Sequence, residues 1–571
     1  MEIPYHRPTP EPIEPEERII LGSEEPEERI ILGSEEPEEP VISRPEEPEI
    51  SRRSARLRHQ EPKLKGLSIY NLASVAYLAT VDNNPNLNHN KEGFRSEKLD
   101  QPNLPKLELE ALIAENQDNL DNSSILYKEP QSYKKAISSK YKNKWLKSME
   151  IKYNTLNNNN TWELVPLPQG ARALKTRWVY KLKNPNNYLD LDSEGVEFKS
   201  RFVAKGFEQL YGLDYLETYA AVIRQIAWKL VFAIAILNNL LIYKIDMISA
   251  FTQGNIDSYI YINQPEGFIS SNKPDYVFKL NKALYGLKQS ARIWYYTLKE
   301  KLVSELGFSV LQSEYCIYIN KKLNMIICLY VDDLAIIAPD INIINTFIDQ
   351  IKKYFNIKNL GLITDYLGID IDLNLKEGYL KLSQAKYIDK ILVKYGLEAS
   401  NPVYTPMDSK AKLEPNKEQV NKKYLMLFQA IIGSLLYIAL GTRPDIAFSV
   451  IKLARFASNP SLYHISLAKR VLRYLKGTRN YGIIYYNNIY NNNSNSFISG
   501  YYDSDYAGDI NTAKSTLGFI FILAGGPISW KSKLQSVIAQ STTEAEFIAI
   551  NTAAKETVFI KQLITELSFY N

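Results

Sequence analysis

Met325-Ile326-Ile327-Cys328-Leu329-Tyr330-Val331-Asp332-Asp333-Leu334-Ala335-Ile336-Ile337-Ala338 sets two adjacent aspartates between two apolar, β-branched runs. The runs read as strands and the acids as the break between them. The stretch therefore predicts a tight β-hairpin with both carboxylates at its tip. Neighbouring acids repel each other and cost desolvation, so packing gives a buried hairpin no reason to choose them. A divalent cation removes that penalty, because hard oxygen ligands suit it. A solvated turn is the competing explanation, since Asp is a common turn residue.

Composition narrows the rest. At 571 residues, the chain is long enough for about three or four domains, and 45% apolar content with 40 Tyr and 20 Phe is globular. The net charge of +4 conceals an asymmetry. Residues 1–50 hold 16 Glu against four Arg, a net −12, which leaves +16 on the remainder. A body of that sign suits a polyanionic partner, although surplus Lys also serves as a solubilising surface. Cys316 and Cys328 both lie in apolar runs and read as core residues. With four scattered His there is no zinc pattern. The acidic, Pro-rich N-terminus resembles no secretory or transit signal. The apolar run from Leu230 to Tyr243 is broken by Asn238-Asn239 and is too short to span a bilayer. These features lead us to expect a soluble intracellular protein with no membrane partner.

In chain order, Pro-Glu-Glu-Arg-Ile-Ile-Leu-Gly-Ser-Glu-Glu occurs twice within residues 15–36. Like charge and proline predict a disordered acidic tail. Arg52, Arg53, Arg56 and Arg58 follow, as a nucleic-acid or import patch or a charged linker, and then a polar linker to about 130. Tyr133, Ile137, Tyr141, Trp145, Met149 and Tyr153 recur every four residues, predicting one amphipathic helix capped by Ser132. Strands are expected at 162–165, 174–183 and 198–205. Alternation groups Lys175, Arg177, Lys181 and Lys183 on one face, and likewise Lys199, Arg201 and Lys205, where phosphates could be met. A helix is expected near 223–237, then a strand from Leu241 ending on the lone acid Asp246, which by itself reads as a cap or turn residue.

The ordered series of segments is similar to the polymerase region of copia-type LTR retrotransposon polyproteins. It comprises Asn160-Thr161-Trp162-Glu163-Leu164-Val165-Pro166, Thr176-Arg177-Trp178-Val179-Tyr180-Lys181, Arg201-Phe202-Val203-Ala204-Lys205-Gly206 and the Asp246 strand. Gln264-Pro265-Glu266-Gly267-Phe268, Ala283-Leu284-Tyr285-Gly286-Leu287-Lys288-Gln289-Ser290 and Tyr330-Val331-Asp332-Asp333 follow. Tyr366-Leu367-Gly368-Ile369, Thr442-Arg443-Pro444-Asp445-Ile446 and Arg473-Tyr474-Leu475-Lys476-Gly477-Thr478 complete it.

This resemblance implies an α+β right-hand polymerase: fingers and palm over 131–375, thumb or connection over 376–490, and the N-terminal part of an RNase H-like α/β domain over 497–571. The disordered linker of 1–130 precedes them. It implies an RNA-directed DNA polymerase that extends a primer on RNA or DNA with dNTPs, using two Mg²⁺, for which Mn²⁺ can substitute. A decayed fragment that binds nucleic acid without polymerising is the competing reading. Asp246, Asp332 and Asp333 would be the catalytic carboxylates and, with the Met247 carbonyl, the metal ligands. Arg201, Phe251, Tyr285 and Gly286 would bind the nucleotide: Phe251 as the ring that excludes a ribose 2′-hydroxyl, Arg201 as the guanidinium on base and phosphate. Lys181 and Lys183 are weaker candidates for the triphosphate. Departures from the family pattern are the extra Asn184-Pro185-Asn186-Asn187 of the finger hairpin, Ala221 and Ala291. Assembly in a cytoplasmic virus-like particle, with a nuclear stage, is what the family implies.

After an Asn-rich linker, Asp503 in Tyr502-Asp503-Ser504-Asp505 and Glu546 in Ala545-Glu546-Phe547 match the first two RNase H acids. Asp505 and Glu544 lie close enough in sequence to compete for those roles. The remaining acids of that nuclease have no counterpart before Asn571, so RNase H activity is expected to be absent and apolar surface to be left uncovered near the C-terminus.

Overall fold

The computed structural model describes residues 129–183, 191–192, 195–487 and 498–567. The acidic repeat, the Arg cluster, the finger insertion at 184–187 and nearly all of the Asn-rich linker lie outside these residues. Where one N-terminal helix is expected, two form: Tyr133–Ile137 and α1 (Lys142–Asn158). Ser132 does cap the first, its Oγ accepting the Lys135 N–H at 3.3 Å. The break follows from Ser138 and Ser139, whose hydroxyls donate back to the carbonyls of Lys135 and Ala136 and compete with the helical ladder.

Trp145 and Met149 of α1 are wholly buried. Trp145 meets Tyr180 and Phe198 edge-on at 5.0 and 4.7 Å between ring centroids. Those rings belong to an antiparallel ribbon of β1 (Thr176–Lys183) and β2 (Glu197–Ala204). Alternation sorts its faces: Trp178, Tyr180, Leu182 and Phe202 are buried, whereas Arg177, Lys181 and Lys183 are exposed and Lys199 and Arg201 half-buried. The expected strand start at 174 is divided. Ala173–Leu174 pairs in a separate four-stranded sheet, and Lys175 and Lys205 lie outside the ribbon.

The next helix, α2 (Gln225–Leu237), is buried on every side from Ile226 to Ile236. It lies within the core built on a six-stranded antiparallel sheet. That sheet contains β3 (Leu241–Met247), β4 (Ile317–Asn320), β5 (Met325–Tyr330), β6 (Asp333–Ala338) and β7 (Ile357–Leu362), in the order β7-β3-β6-β5-β4 with Ser309–Val310 at the edge. Helices α3 (Ser290–Glu300) and α4 (Ile341–Ile351) contribute Trp294, Leu298, Phe347 and Ile348 to the same core. Each such buried side chain contributes roughly 1.5–3 kcal/mol. Cys316 and Cys328 are free thiols inside it, in keeping with the sequence reading.

Strands β8 (Ile369–Asn374), β9 (Tyr379–Ser383) and β10 (Gly482–Tyr486) form a second sheet, with Asp365–Tyr366 at its edge. Between β9 and β10 the chain builds a helical core around Phe428, Ile431, Leu435, Ala468 and Val471 of α5 (Lys422–Gly441) and α6 (Leu462–Gly477). By length and composition α5 would pass for a membrane span, a feature the apolar-run reading missed; in this fold Phe428, Ile431 and Leu435 on it are fully buried.

The C-terminal part pairs β11 (Ser499–Ser504), β12 (Thr516–Leu523) and β13 (Gly526–Leu534), with α7 (Thr542–Glu566) against β11 and β12. Phe519, Phe521, Leu523, Ile560 and Leu563 join the core of the six-stranded sheet. Polar contacts fix this seam. Lys229 of α2, 1% exposed, donates to the Leu440 carbonyl at 3.0 Å and lies 3.9 Å over the Trp530 ring. Trp530 Nε1 donates to the neighbouring Ala439 carbonyl, and the Glu566 carboxylate accepts the N–H groups of Gln312 and Ser313.

Candidate active site

β5 and β6 pair Tyr330 with Asp333, so the turn is only Val331 and Asp332. Asp332 occupies the tip, whereas Asp333 is the first residue of β6. Val331 stands at φ +54°. A β-branched residue in that left-handed region costs about 1–3 kcal/mol and persists only where its surroundings hold it. Two hydrogen bonds do so: Trp294 Nε1 donates to the Val331 carbonyl at 2.6 Å, and the Met247 N–H to the Asp332 carbonyl at 2.9 Å.

That second bond ties the turn to the end of β3. In the β3–β6 register Asp246 faces Asp333 directly, so all three acids lie at one end of the sheet. Burial raises the pKa of each carboxyl, and negative neighbours add to the effect: Asp333 on Asp246, Asp246 on Asp332, Asp332 on Asp333. Positive charge opposes it, from Lys199 on Asp246 and Asp332 and from Lys244 on Asp333. The three are neighbours without forming a closed cage. Among the described residues no three Asp, Glu, His or Cys side chains gather as a ready-made metal cluster. The donors themselves are hard oxygens, the kind Mg²⁺ takes, and their mutual repulsion is what a cation would relieve.

Beyond Met247 the chain turns through Ser249, at φ 54° and ψ 44°, into a 3-10 helix, Ala250–Gln253. This turn delivers Phe251 to Tyr285, with ring centroids 4.5 Å apart. Tyr285 is pushed up to about 12 by burial and by the charge of Asp332. Its carbonyl accepts the Ala204 N–H at 2.9 Å, which ties it to the end of β2. Gly286 adopts φ +96°, and a Cβ there would lie 2.1 Å from the Ala204 carbonyl oxygen, so glycine is required by both conformation and space. Arg201 on β2 acts electrostatically on both Tyr285 and Asp332. Contacts and charge thus link Phe251, Tyr285 and Arg201 to the end of the sheet that carries the acids. Lys181 pairs with Glu129 at 3.2 Å and Lys183 with Glu197 at 3.9 Å.

Of three basic residues here, Lys152 and Lys244 escaped the sequence reading of the site. Lys152 of α1 donates to Ser249 Oγ at 2.9 Å and sits 5.8 Å over the Tyr285 ring. Burial, with Lys199 and Arg201 beside it, lowers its pKa to about 8. Lys199 was read with Arg201 and Lys205 on a face that could meet phosphates, and Lys244 was not singled out. The signal for Lys244 was present, since it stands two residues before Asp246 and so shares its face of the strand.

In the C-terminal sheet, Asp503 on β11 and Glu546 on α7 lie close enough to hydrogen bond, and burial followed by charge repulsion raises the Glu546 pKa. Their sequence neighbours have other work. Asp505 Oδ1 accepts the Thr516 N–H at 2.6 Å, and Glu544 Oε2 accepts the Gln540 N–H at 2.7 Å. Nearby, between β11 and α7, opens an apolar groove of about 780 Å³ lined by Tyr501, Phe521, Ile550, Val558, Ile560 and Ile564.

Residues 159–409 match the family described as reverse transcriptase (RNA-dependent DNA polymerase). A retrovirus-related Pol polyprotein from transposon TNT 1-94 of Nicotiana tabacum is 36% identical over 451 residues, 78% of this chain and 33% of the relative. The putative transposon Ty5-1 protein of Saccharomyces cerevisiae is 33% identical over 317 residues, 55% of this chain and 99% of the relative. A solved foamy viral protease–reverse transcriptase in complex with double-stranded DNA aligns at a TM-score of 0.40 and 12% identity, covering 81% of this chain and 75% of that one. The chain thus spans about a third of the tobacco polyprotein and almost all of the shorter yeast protein. It belongs to the reverse transcriptases of copia-type retrotransposon polyproteins.

Proposed function

We propose that this chain extends the 3′-hydroxyl of a primer with dNTPs on an RNA or DNA template, at the end of the six-stranded sheet. The reading rests chiefly on one observation: the strained Val331 turn, which sets Asp332 beside an in-register Asp246–Asp333 pair. Strain and like-charge crowding both oppose folding, and both are accounted for if the site exists to hold divalent cations. Asp246, Asp332, Asp333 and the Met247 carbonyl would supply the oxygen donors for two Mg²⁺. The pair of cations would stabilise charge on the attacking and leaving oxygens of an in-line phosphoryl transfer.

The chain's own groups orient the nucleotide. Arg201 and Lys199 on the polar face of the ribbon, with Lys152 beside them, supply positive charge for a triphosphate. The Phe251 ring, backed by Tyr285, lies where a flat surface leaves no room for a 2′-hydroxyl. In this reading the six-stranded sheet is the palm, the β1–β2 ribbon with α1 the fingers, and 376–490 the thumb or connection. The β11–β13 sheet with α7 corresponds to the RNase H-like part. The +16 body suits a nucleic-acid duplex. The exposed aromatics Phe207, Tyr211 and Tyr219 suit unpaired template bases, whose faces can stack on them. Primer extension on poly(rA)·oligo(dT) by the wild-type chain, with Asp332→Asn inactive, is the expected result. Equal incorporation by both proteins, or duplex binding with no extension by either, would reject the catalytic reading.

A further inference from the structure

Lys244 is the most enclosed charge at the site. Its side chain is 9% exposed, and its Nζ lies 3.1 Å from Asp333 Oδ1 and 2.8 Å from Asp365 Oδ1. The sheet makes room for it. Across one side of β3 its register partner is Ala335, and across the other it is Gly361, next to a bulge after Asn359. Two small neighbours leave the lysine stem free to run along the sheet toward the acids. Asp365 comes from a separate strand, is about half exposed, and also accepts a hydrogen bond from the same ammonium.

We propose that Lys244 is a resident counter-cation of the aspartate site, which competes with divalent metal for Asp333 and is given an alternative seat by Asp365. The proposal rests on reading Asp246, Asp332 and Asp333 as the metal site. Three carboxylates crowded at half-buried positions need positive charge in the metal-free protein, and Lys244 supplies it. The same ammonium lies against an Asp333 oxygen that a metal would claim. When a cation arrives, Lys244 can release Asp333 without becoming an unpaired buried charge, because Asp365 already holds it. Lys244 is thus a positioning residue: it sets how strongly metal must compete, not how the phosphoryl group moves.

The two sides of this arrangement carry opposite signs, which a merely structural lysine would not produce. Free Mn²⁺ would be followed by electron paramagnetic resonance during titration of the full chain, with no nucleic acid present. Lys244→Met should bind Mn²⁺ about 5–10-fold tighter and melt at a lower temperature without metal, the deficit closing as Mn²⁺ is added. Asp365→Asn strands Lys244 on Asp333 and should weaken Mn²⁺ binding about 3–5-fold; standing at the rim, this variant also serves if Lys244→Met fails to fold. Asp332→Asn reports on the site itself. If it weakens binding while Lys244→Met and Asp365→Asn move affinity in the same direction, or not at all, the counter-cation role is overturned. If Asp332→Asn leaves Mn²⁺ binding unchanged, the metal-site reading falls first and the role of Lys244 with it.

Discussion

The sheet-end aspartates and the Asp503–Glu546 pair solve one problem by different means. Both crowd carboxylates at partly buried positions, and in both burial raises the pKa values. The first site brings in positive charge: Lys199 and Arg201 from the ribbon, Lys244 from the same strand. In the second, the interaction acting on Asp503 beyond its own neighbours is a hydrogen bond with the Glu546 carboxyl, while the charge of Asp503 opposes ionisation of Glu546. The first also carries backbone strain at Val331, whereas Asp503 sits in a regular strand and Glu546 in a regular helix. Stored strain and positive side chains from other elements are what set the first site apart.

The contrast can be broken most sharply by removing one acid from each side. Asp332→Asn should cut incorporation by roughly a thousandfold, about 4 kcal/mol of transition-state stabilisation. Glu546→Gln should leave single-nucleotide incorporation within about twofold, because it touches nothing at the sheet end. Similar losses in both variants, measured in one primer-extension assay, would mean the two carboxylate groups act as one site. Next in size is Phe251→Ala, which should lower the preference for dNTP over rNTP by roughly 10–200-fold, read from kcat/KM for the two nucleotides. Unchanged discrimination would remove the ring from the sugar contact.

A smaller effect separates the basic side of the first site. Lys152, lowered to about 8, loses its proton as pH rises through that value in the free protein, and with it an attraction for triphosphate. The kcat/KM for dNTP should therefore decline above about pH 8, by about tenfold near pH 9. Lys152→Arg, charged throughout, should hold the profile flat over that range. An identical decline in both proteins would assign the limb to another group. The sign for folding is the reverse: a charged, buried Lys152 costs stability below about pH 8, and that cost is relieved as pH rises toward 10.5.

How much of this was legible in the sequence depended on whether its cause was local. The Met325–Ala338 hairpin follows from two apolar runs and a break, and β5 and β6 have nearly those bounds. The ribbon's basic face follows from alternation alone. Long-range pairing was not legible. Nothing near Lys244 announces Asp365, 121 residues away, and nothing near Lys152 announces Ser249, 97 residues away. Backbone strain was equally silent, because Val331 reads as a strand residue by type and occupies a left-handed turn only through its bonds to Trp294 and the constraint on Asp332. The broken first helix is a different failure. Aromatic spacing outweighed two serines in the sequence reading, whereas in the chain their hydroxyls compete for carbonyls that spacing cannot see.

The seam at Lys229, Trp530 and Glu566 bears on what a protease could do to this protein. Strands β12 and β13 and helix α7 bury Phe519, Phe521 and Leu563 in the same core as the six-stranded sheet. A cut between residues 487 and 498 would sever the backbone yet leave that shared interior closed. The two fragments should then travel together through a sizing column and part only in denaturant. Cleavage there would nick the molecule rather than release a second one.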